Sequence, residues 1–257
     1  MKSKDTNSLY NGFITTIKIC KHEFLLSRSL VIITIISTAL NILLILLNNT
    51  PIKEQETLIG IIILLQFFTL GTFVVAYYFS SAISFYHGLF GRNAYLTHSL
   101  PVSLNVILIS KISIFMLWAC VGCIELLLFL ACIDKIFYDK LLTNWIISIS
   151  YAKATSQYSN MGEFFSYLSL YYFLLALSEL TLIFMVAAIV HRIKSYTMIY
   201  GIIVFFIIQA IAFSFIGAVT EITSNIKQIA IECVMLMTLS LIYYFICQWI
   251  IKNKLSL

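Results

Sequence analysis

Charged residues are scarce in this chain of 257 residues. Asp, Glu, Lys and Arg together make up 11% of it, whereas 61% of the residues are hydrophobic. Soluble domains carry about a quarter charged residues, so this sequence cannot coat a water-facing surface of its size. Proline is rarer still, with two residues, Pro51 and Pro101, and both lie between apolar stretches. The stretches can therefore form unbroken helices, and the composition favours a protein embedded in lipid.

Sequence motifs for nucleotide and hydrolytic chemistry are also missing. The chain has no G-x-x-x-x-G-K-[ST] phosphate-binding loop, no H-E-x-x-H and no G-x-S-x-G. We expect no catalytic residue, no cofactor and no nucleic-acid partner. A metal site is not expected either, because the four histidines are dispersed: His22, His87, His98 and His191. No cleavable signal peptide is visible, since roughly 29 residues precede the first apolar run.

Six apolar stretches dominate the sequence. Each is long enough to cross a bilayer core, which needs roughly 20 helical residues. Open sheet edges cannot lie in lipid, so the stretches predict helices. The fold class expected is an all-α integral membrane protein with one transmembrane domain over residues 1–257. The predicted spans are approximately 30–48, 58–84, 104–133, 164–190, 197–219 and 229–251.

Basic residues predict the orientation of the chain. Cytoplasmic loops carry an excess of Lys and Arg, and an inside N-terminus places eleven of them inside and five outside. The inside set is Lys2, Lys4, Lys18, Lys21, Arg28, Arg92, Lys111, Arg192, Lys194, Lys252 and Lys254. The outside set is Lys53, Lys135, Lys140, Lys153 and Lys227. Both termini are therefore expected in the cytoplasm.

Residues 9–28 precede the first span. Leu9, Phe13, Ile17 and Phe24 recur near helical spacing, which predicts an amphipathic helix lying on the inner leaflet. The alternative is a basic flank that only orients the first span.

Three carboxyl groups fall within the spans. An ionisable group at the bilayer centre costs at least about 2.5 kcal/mol, so it usually faces a bundle interior or a wet cavity. Glu179 lies nearest the middle of its span, and Glu125 and Glu232 lie closer to the outer face. One interpretation places Glu179 and Glu125 on a substrate pathway. The other is structural, with a carboxyl held by a neighbouring helix, for instance through Ser178 or Gln209.

Small residues recur in the fifth span. Ala210, Ser214 and Ala218 follow each other at four-residue spacing, which permits close approach of another helix. The pattern predicts a helix–helix contact, between subunits or within the chain.

The loop at 86–103 bears the most distinctive local sequence. It contains Phe90-Gly91-Arg92, Tyr95-Leu96-Thr97 and Leu100-Pro101-Val102-Ser103. The pattern is typical of a short amphipathic helix with exposed aromatic side chains, ended before the proline. Such a helix suits docking on a soluble partner, and the alternative is an ordinary interfacial loop.

This loop, followed by Ser110-Lys111 at the start of the next span, resembles the permease subunits of bacterial ABC exporters of the six-span efflux class. Those permeases often carry a tyrosine-leucine-threonine, a leucine-proline-[valine/leucine]-serine and then a serine-lysine. Asn93-Ala94 depart from the pattern, because relatives commonly have an acidic residue and a glycine there.

The resemblance implies a mechanism in which two permeases pair, as a homodimer or with a related permease, and bind two separate ATPase subunits. ATP and Mg would be bound by the ATPase, and the permease would reside in the bacterial plasma membrane. The residues that would couple it to the ATPase are Phe90, Arg92, Tyr95, Leu96 and Thr97. The likeness within the family is to exporters of small amphipathic peptides, such as secreted toxins or bacteriocins.

Two other functions stay open from the sequence. The chain is also compatible with a peptide-immunity or sensing membrane protein that binds without transport. An intramembrane enzyme, such as a protease or a lipid-modifying enzyme, would have to use the glutamates of the spans.

Overall fold

Six long helices make up the described part of the protein. The structure, a computed structural model, describes residues 20–21, 23–24, 27–49, 56–90, 103–137, 161–191, 197–222 and 228–255. The helices are α1 (Arg28–Asn49), α2 (Glu56–Leu89), α3 (Leu104–Phe137), α4 (Met161–Val190), α5 (Thr197–Ile222) and α6 (Gln228–Leu255). No β-strand occurs within these ranges.

All six helices are long and apolar enough to cross a membrane. The prediction of an all-helical protein with six candidate transmembrane helices is therefore confirmed. Pro51 and Pro101 both lie outside the described residues. The predicted interfacial helix at 9–28 lies mostly, and the loop segment 91–102 wholly, outside the described residues.

Helix α2 continues beyond its predicted end at residue 84. Tyr86 to Leu89, assigned from the sequence to the loop at 86–103, form the last turn of α2 instead. Phe85 and Leu89 lie one turn apart and are both buried, so packing on one face extends the helix. The backbone N–H of Phe90 closes this turn by donating to the carbonyl of Tyr86 at 2.8 Å.

The described residues divide into two compact units. The first unit contains the described parts of 1–26, 81–116 and 157–257, so it includes α4, α5 and α6. Helix α4 forms its centre, because nearly every side chain from Leu180 to Val190 is buried. Leu174 of α4 packs with Ile216 of α5 and Leu236 of α6 in an apolar cluster.

The second unit contains the described parts of 27–80 and 117–156. Leu44 of α1, Ile62 of α2 and Phe129 of α3 form its apolar core. The rings of Phe67 and Phe129 meet edge to face with their centroids 5.0 Å apart. Trp118 Nε1 donates to Ser27 Oγ at 2.8 Å, which ties the start of α1 to α3.

Candidate functional site

The predicted ATPase-coupling residues are only partly within the described structure. Phe90 is described, directly after the end of α2, whereas Arg92, Tyr95, Leu96 and Thr97 lie outside the described residues. The structural description therefore covers the two helix ends that flank the predicted coupling loop, one in α2 and one in α3.

Phe90 packs in an aromatic cluster with the end of α4. Its ring stacks on the imidazole of His191 with centroids 4.2 Å apart and an interplanar angle of 18°. Tyr86 meets the same imidazole edge to face at 5.5 Å. One turn of helix earlier, the buried ring of Phe85 stacks on Phe184 of α4 at 4.5 Å. These contacts attach the beginning of the loop to α4, and they leave Phe90 half-buried.

Lys111, at the other flank of the loop, is enclosed. Its side chain is 1% exposed although it lies seven residues into an apolar helix. The ammonium Nζ donates to Glu23 Oε1 at 2.5 Å, to the Ser84 carbonyl at 3.0 Å and to Ser84 Oγ at 3.1 Å. Ser84 Oγ donates in turn to Glu23 Oε2 at 2.5 Å. We call Glu23, Ser84 and Lys111 the Lys111 network.

Gly88 makes room for this network. It lies one helical turn after Ser84, on the same face of α2. A Cβ at position 88 would lie 2.9 Å from Lys111 Nζ and 3.1 Å from its Cε. The absence of a side chain therefore lets the lysine ammonium reach the backbone of α2.

Glu179 faces an open cleft in the first unit. The cleft has room for about one water molecule and is lined by α4, α5 and α6, with mostly apolar side chains around Glu179, Gln209 and Tyr243. Gln209 Nε2 donates a hydrogen bond to Glu179 Oε1. Ser178, the other partner considered from the sequence, donates to the Leu175 carbonyl of its own helix. The carboxyl group thus has the helix-to-helix contact of the structural interpretation and a place on a cleft wall.

Glu125 is enclosed in the second unit and is 4% exposed. Its Oε2 accepts hydrogen bonds from Ser37 Oγ at 2.9 Å and from Asn41 Nδ2 at 3.1 Å. Gln66 Nε2 donates to Ser37 Oγ at 2.8 Å. The buried Asn41 Oδ1 accepts no hydrogen bond from the described residues. We call Ser37, Asn41, Gln66 and Glu125 the Glu125 cluster.

Sequence reasoning missed the pairing of Glu23 with Lys111. Lys111 was counted among the basic residues that orient the chain, and without it the asymmetry is ten against five. A usable signal existed, because a lysine seven residues into an apolar run is costly unless it has a partner. The partner was not identifiable, since Glu23 lies 88 positions earlier in the chain.

The described residues show no metal centre: no three His, Cys, Asp or Glu side chains group closely enough to hold an ion. Comparison with known proteins gives no match, whether to a protein-family model, to a curated protein sequence or to a solved structure.

Proposed function

We propose that this chain is the membrane-spanning permease subunit of an ATP-driven exporter. Two permeases, identical or related, pair in the bacterial plasma membrane with both termini in the cytoplasm. Separate ATPase subunits bind ATP and Mg and drive the pair. The observation that carries the proposal is the loop sequence from Phe90 to Ser103, which joins α2 to α3 in the chain, followed by Ser110-Lys111 in α3.

The length of those helices supports a role in transmitting movement. Helices α2 and α3 have 34 residues each, which corresponds to about 50 Å at ~1.5 Å per residue. The hydrocarbon core is about 30 Å thick, so each helix extends beyond the core or tilts within it. A loop that joins two such helices is suited to pass the closure of a soluble ATPase into the membrane.

Helix α5 supports the pairing with a second permease. Of its side chains that the structure describes, Ile216 alone is buried. The small residues Ala210, Ser214 and Ala218 are exposed and follow one another at four-residue spacing. Small residues at a helix surface allow another helix to approach closely in a bilayer, so we assign this face to the second copy.

The mixture of polar and apolar side chains around Glu179 favours an amphipathic peptide as the substrate. A carboxyl group and an amide, Glu179 and Gln209, share the cleft with apolar side chains. A peptide with basic and apolar groups would find a complementary partner for each. The same cleft also suits a membrane protein that binds a peptide without exporting it, so transport itself has to be measured.

Association with an ATPase is the first test. We expect the chain to co-purify with the ABC ATPase encoded nearest to its own gene, and Tyr95→Ala to weaken that association. Aromatic anchors often contribute ~2 kcal/mol or more to such interfaces. Lys153→Ala, in the predicted outer loop, is the control and should leave association unchanged.

Phe90 needs its own control because it stacks on His191. Phe90→Ala removes the proposed ATPase contact and an intramolecular contact together, whereas His191→Ala removes the intramolecular contact alone. We expect Phe90→Ala to weaken association more than His191→Ala does. Full ATPase binding and normal export in a Phe90→Ala/Tyr95→Ala double variant would refute the coupling assignment.

The substrate role of Glu179 is tested separately. Glu179→Gln keeps a hydrogen-bonding side chain beside Gln209 and removes the negative charge. We expect the complex to assemble normally while the stimulation of ATP turnover by a basic amphipathic peptide falls. Unchanged stimulation and unchanged export would assign Glu179 to helix packing alone.

A further inference from the structure

The Lys111 network uses every donor that the lysine ammonium has. An ammonium group has three N–H bonds, and those of Lys111 go to Glu23 Oε1, the Ser84 carbonyl and Ser84 Oγ. Ser84 Oγ also donates to the second carboxylate oxygen of Glu23. Both residues of the ion pair are buried, since Lys111 is 1% exposed and Glu23 is 7% exposed. The network therefore holds three chain segments in one geometry.

A lysine near a helix end usually extends its ammonium group into the water at the membrane surface. Lys111 lies seven residues after Leu104, about 10 Å along α3, which is within reach of such a surface. Its ammonium instead turns toward α2, where Gly88 leaves the space that it needs. A charge that only oriented the chain would not require this enclosure.

Two of the three residues of the network flank the loop. Ser84 lies five residues before the end of α2, and Lys111 is the eighth residue of α3. Glu23 belongs to the segment that precedes α1. Cys20 of that segment also approaches α3, with Sγ 3.9 Å from the Ser110 carbonyl.

We propose that Lys111 is a positioning residue: through Glu23 and Ser84 it makes the segment before the first span move together with both helix ends that flank the coupling loop. The spacing of the two helix ends is then fixed by these side-chain contacts rather than by the loop itself. The consequence for ATPase coupling rests on the proposed function, whereas the positioning does not.

The test measures a distance in the purified chain without an ATPase. Nitroxide labels are attached through unnatural amino acids at positions 21 and 87, where Lys21 and His87 are exposed, so that all native cysteines stay in place. Electron paramagnetic resonance should give one narrow distance distribution for the otherwise unchanged chain. Lys111→Met and Ser84→Ala should each broaden it, with the larger broadening for Lys111→Met.

Two further variants make the result decisive. Lys252→Met removes an exposed lysine of the same unit and should leave the distribution narrow. Glu23→Leu/Lys111→Met removes the ion pair without leaving a buried charge, so it provides a folded sample if Lys111→Met does not fold. An unchanged narrow distribution in this double variant would overturn the proposal.

The coupling role has a separate readout in the complex with the ATPase. Lys111→Met should lower peptide-stimulated ATP turnover, and Lys111→Arg, which keeps the charge, should restore part of it. Broadened distances together with unchanged stimulation would overturn the coupling role. Failure of the unchanged chain to bind any ATPase would instead refute the proposed function, and the distance measurement would still decide the positioning.

Discussion

The two compact units each bury a carboxyl group, but they surround it with different partners. In the first unit Glu23 accepts from a lysine ammonium and a serine hydroxyl, and the lysine has no donor left over. In the second unit the described partners of Glu125 are two neutral donors, Ser37 and Asn41. The amide oxygen of Asn41 lies buried there without a donor among the described residues.

This difference predicts which of the two sites loses more stability when one of its residues is substituted. A buried charge pair with complete hydrogen bonding loses much when one partner is removed, because the other charge stays behind in a low dielectric. A carboxyl group that accepts only from neutral donors can be replaced by an amide of the same shape with a smaller loss of stability. We therefore expect the Lys111 network to tolerate little change and the Glu125 cluster to tolerate more.

The largest effect is expected for Lys111→Met. The change leaves the Glu23 carboxylate enclosed without a counter-charge, and we expect the free energy of unfolding to fall by about 3–5 kcal/mol. Reversible denaturation in detergent micelles measures this loss. Lys252→Met, at an exposed lysine of the same unit, should change the value by no more than about 0.5 kcal/mol.

The double variant Glu23→Leu/Lys111→Met shows whether charge or packing dominates. Because it removes both charges together, it should recover most of the stability lost in Lys111→Met. A loss in the double variant as large as that in Lys111→Met would contradict the charge argument and assign the effect to packing.

A second prediction compares the same substitution at the two carboxyl groups. Glu125→Gln keeps an acceptor for Ser37 and Asn41, so we expect stability to stay within about 1 kcal/mol of the unchanged chain. Glu23→Gln leaves the Lys111 ammonium without its counter-charge, and we expect a loss several times larger. Equal losses at the two positions, in the same denaturation experiment, would remove the distinction between the sites.

The smallest effect concerns the Cys20 thiol beside the Lys111 network. Burial raises the pKa of Cys20, and the Glu23 carboxylate raises it further. The thiolate is the reactive form, so alkylation at neutral pH should be slower than for a free cysteine and should accelerate as the pH rises. Glu23→Gln should lower this pKa and speed the reaction at a given pH.

Peptide mapping by mass spectrometry after iodoacetamide treatment measures the Cys20 rate while the native cysteines stay in place. The denatured chain is the control, since it has neither the burial nor the neighbouring carboxylate. Equal Cys20 rates in the folded and the denatured chain would contradict the buried environment.

The sequence was sufficient to locate the six helices. An apolar run long enough to cross a bilayer is a strong and local signal of a transmembrane helix. The predicted spans accordingly agree with the helices to within about five residues at each end. The end of α2 was placed too early, at residue 84. The extension to Leu89 depends on the burial of Phe85 and Leu89 against other elements, which the local sequence does not contain.

The polar contacts were predictable only where the chemistry restricted the choice. Gln209 was one of two partners considered for Glu179, and it is the one that donates to the Glu179 carboxyl group. Ser37 and Asn41 were not associated with Glu125, nor Glu23 with Lys111, since those pairs are separated by 84 to 88 positions. Contacts of that separation are set by helix packing, and one sequence does not reveal it.

ATP-driven transport tests the central claim most directly. The chain and the ATPase encoded nearest to it are reconstituted together in inside-out vesicles, and accumulation of a labelled basic amphipathic peptide is followed with and without ATP. We expect accumulation when the chain, the ATPase and ATP are all present, and its loss when any one is left out. Peptide binding by the chain alone, unaffected by the ATPase and by ATP, would contradict the exporter and favour a sensing or immunity protein.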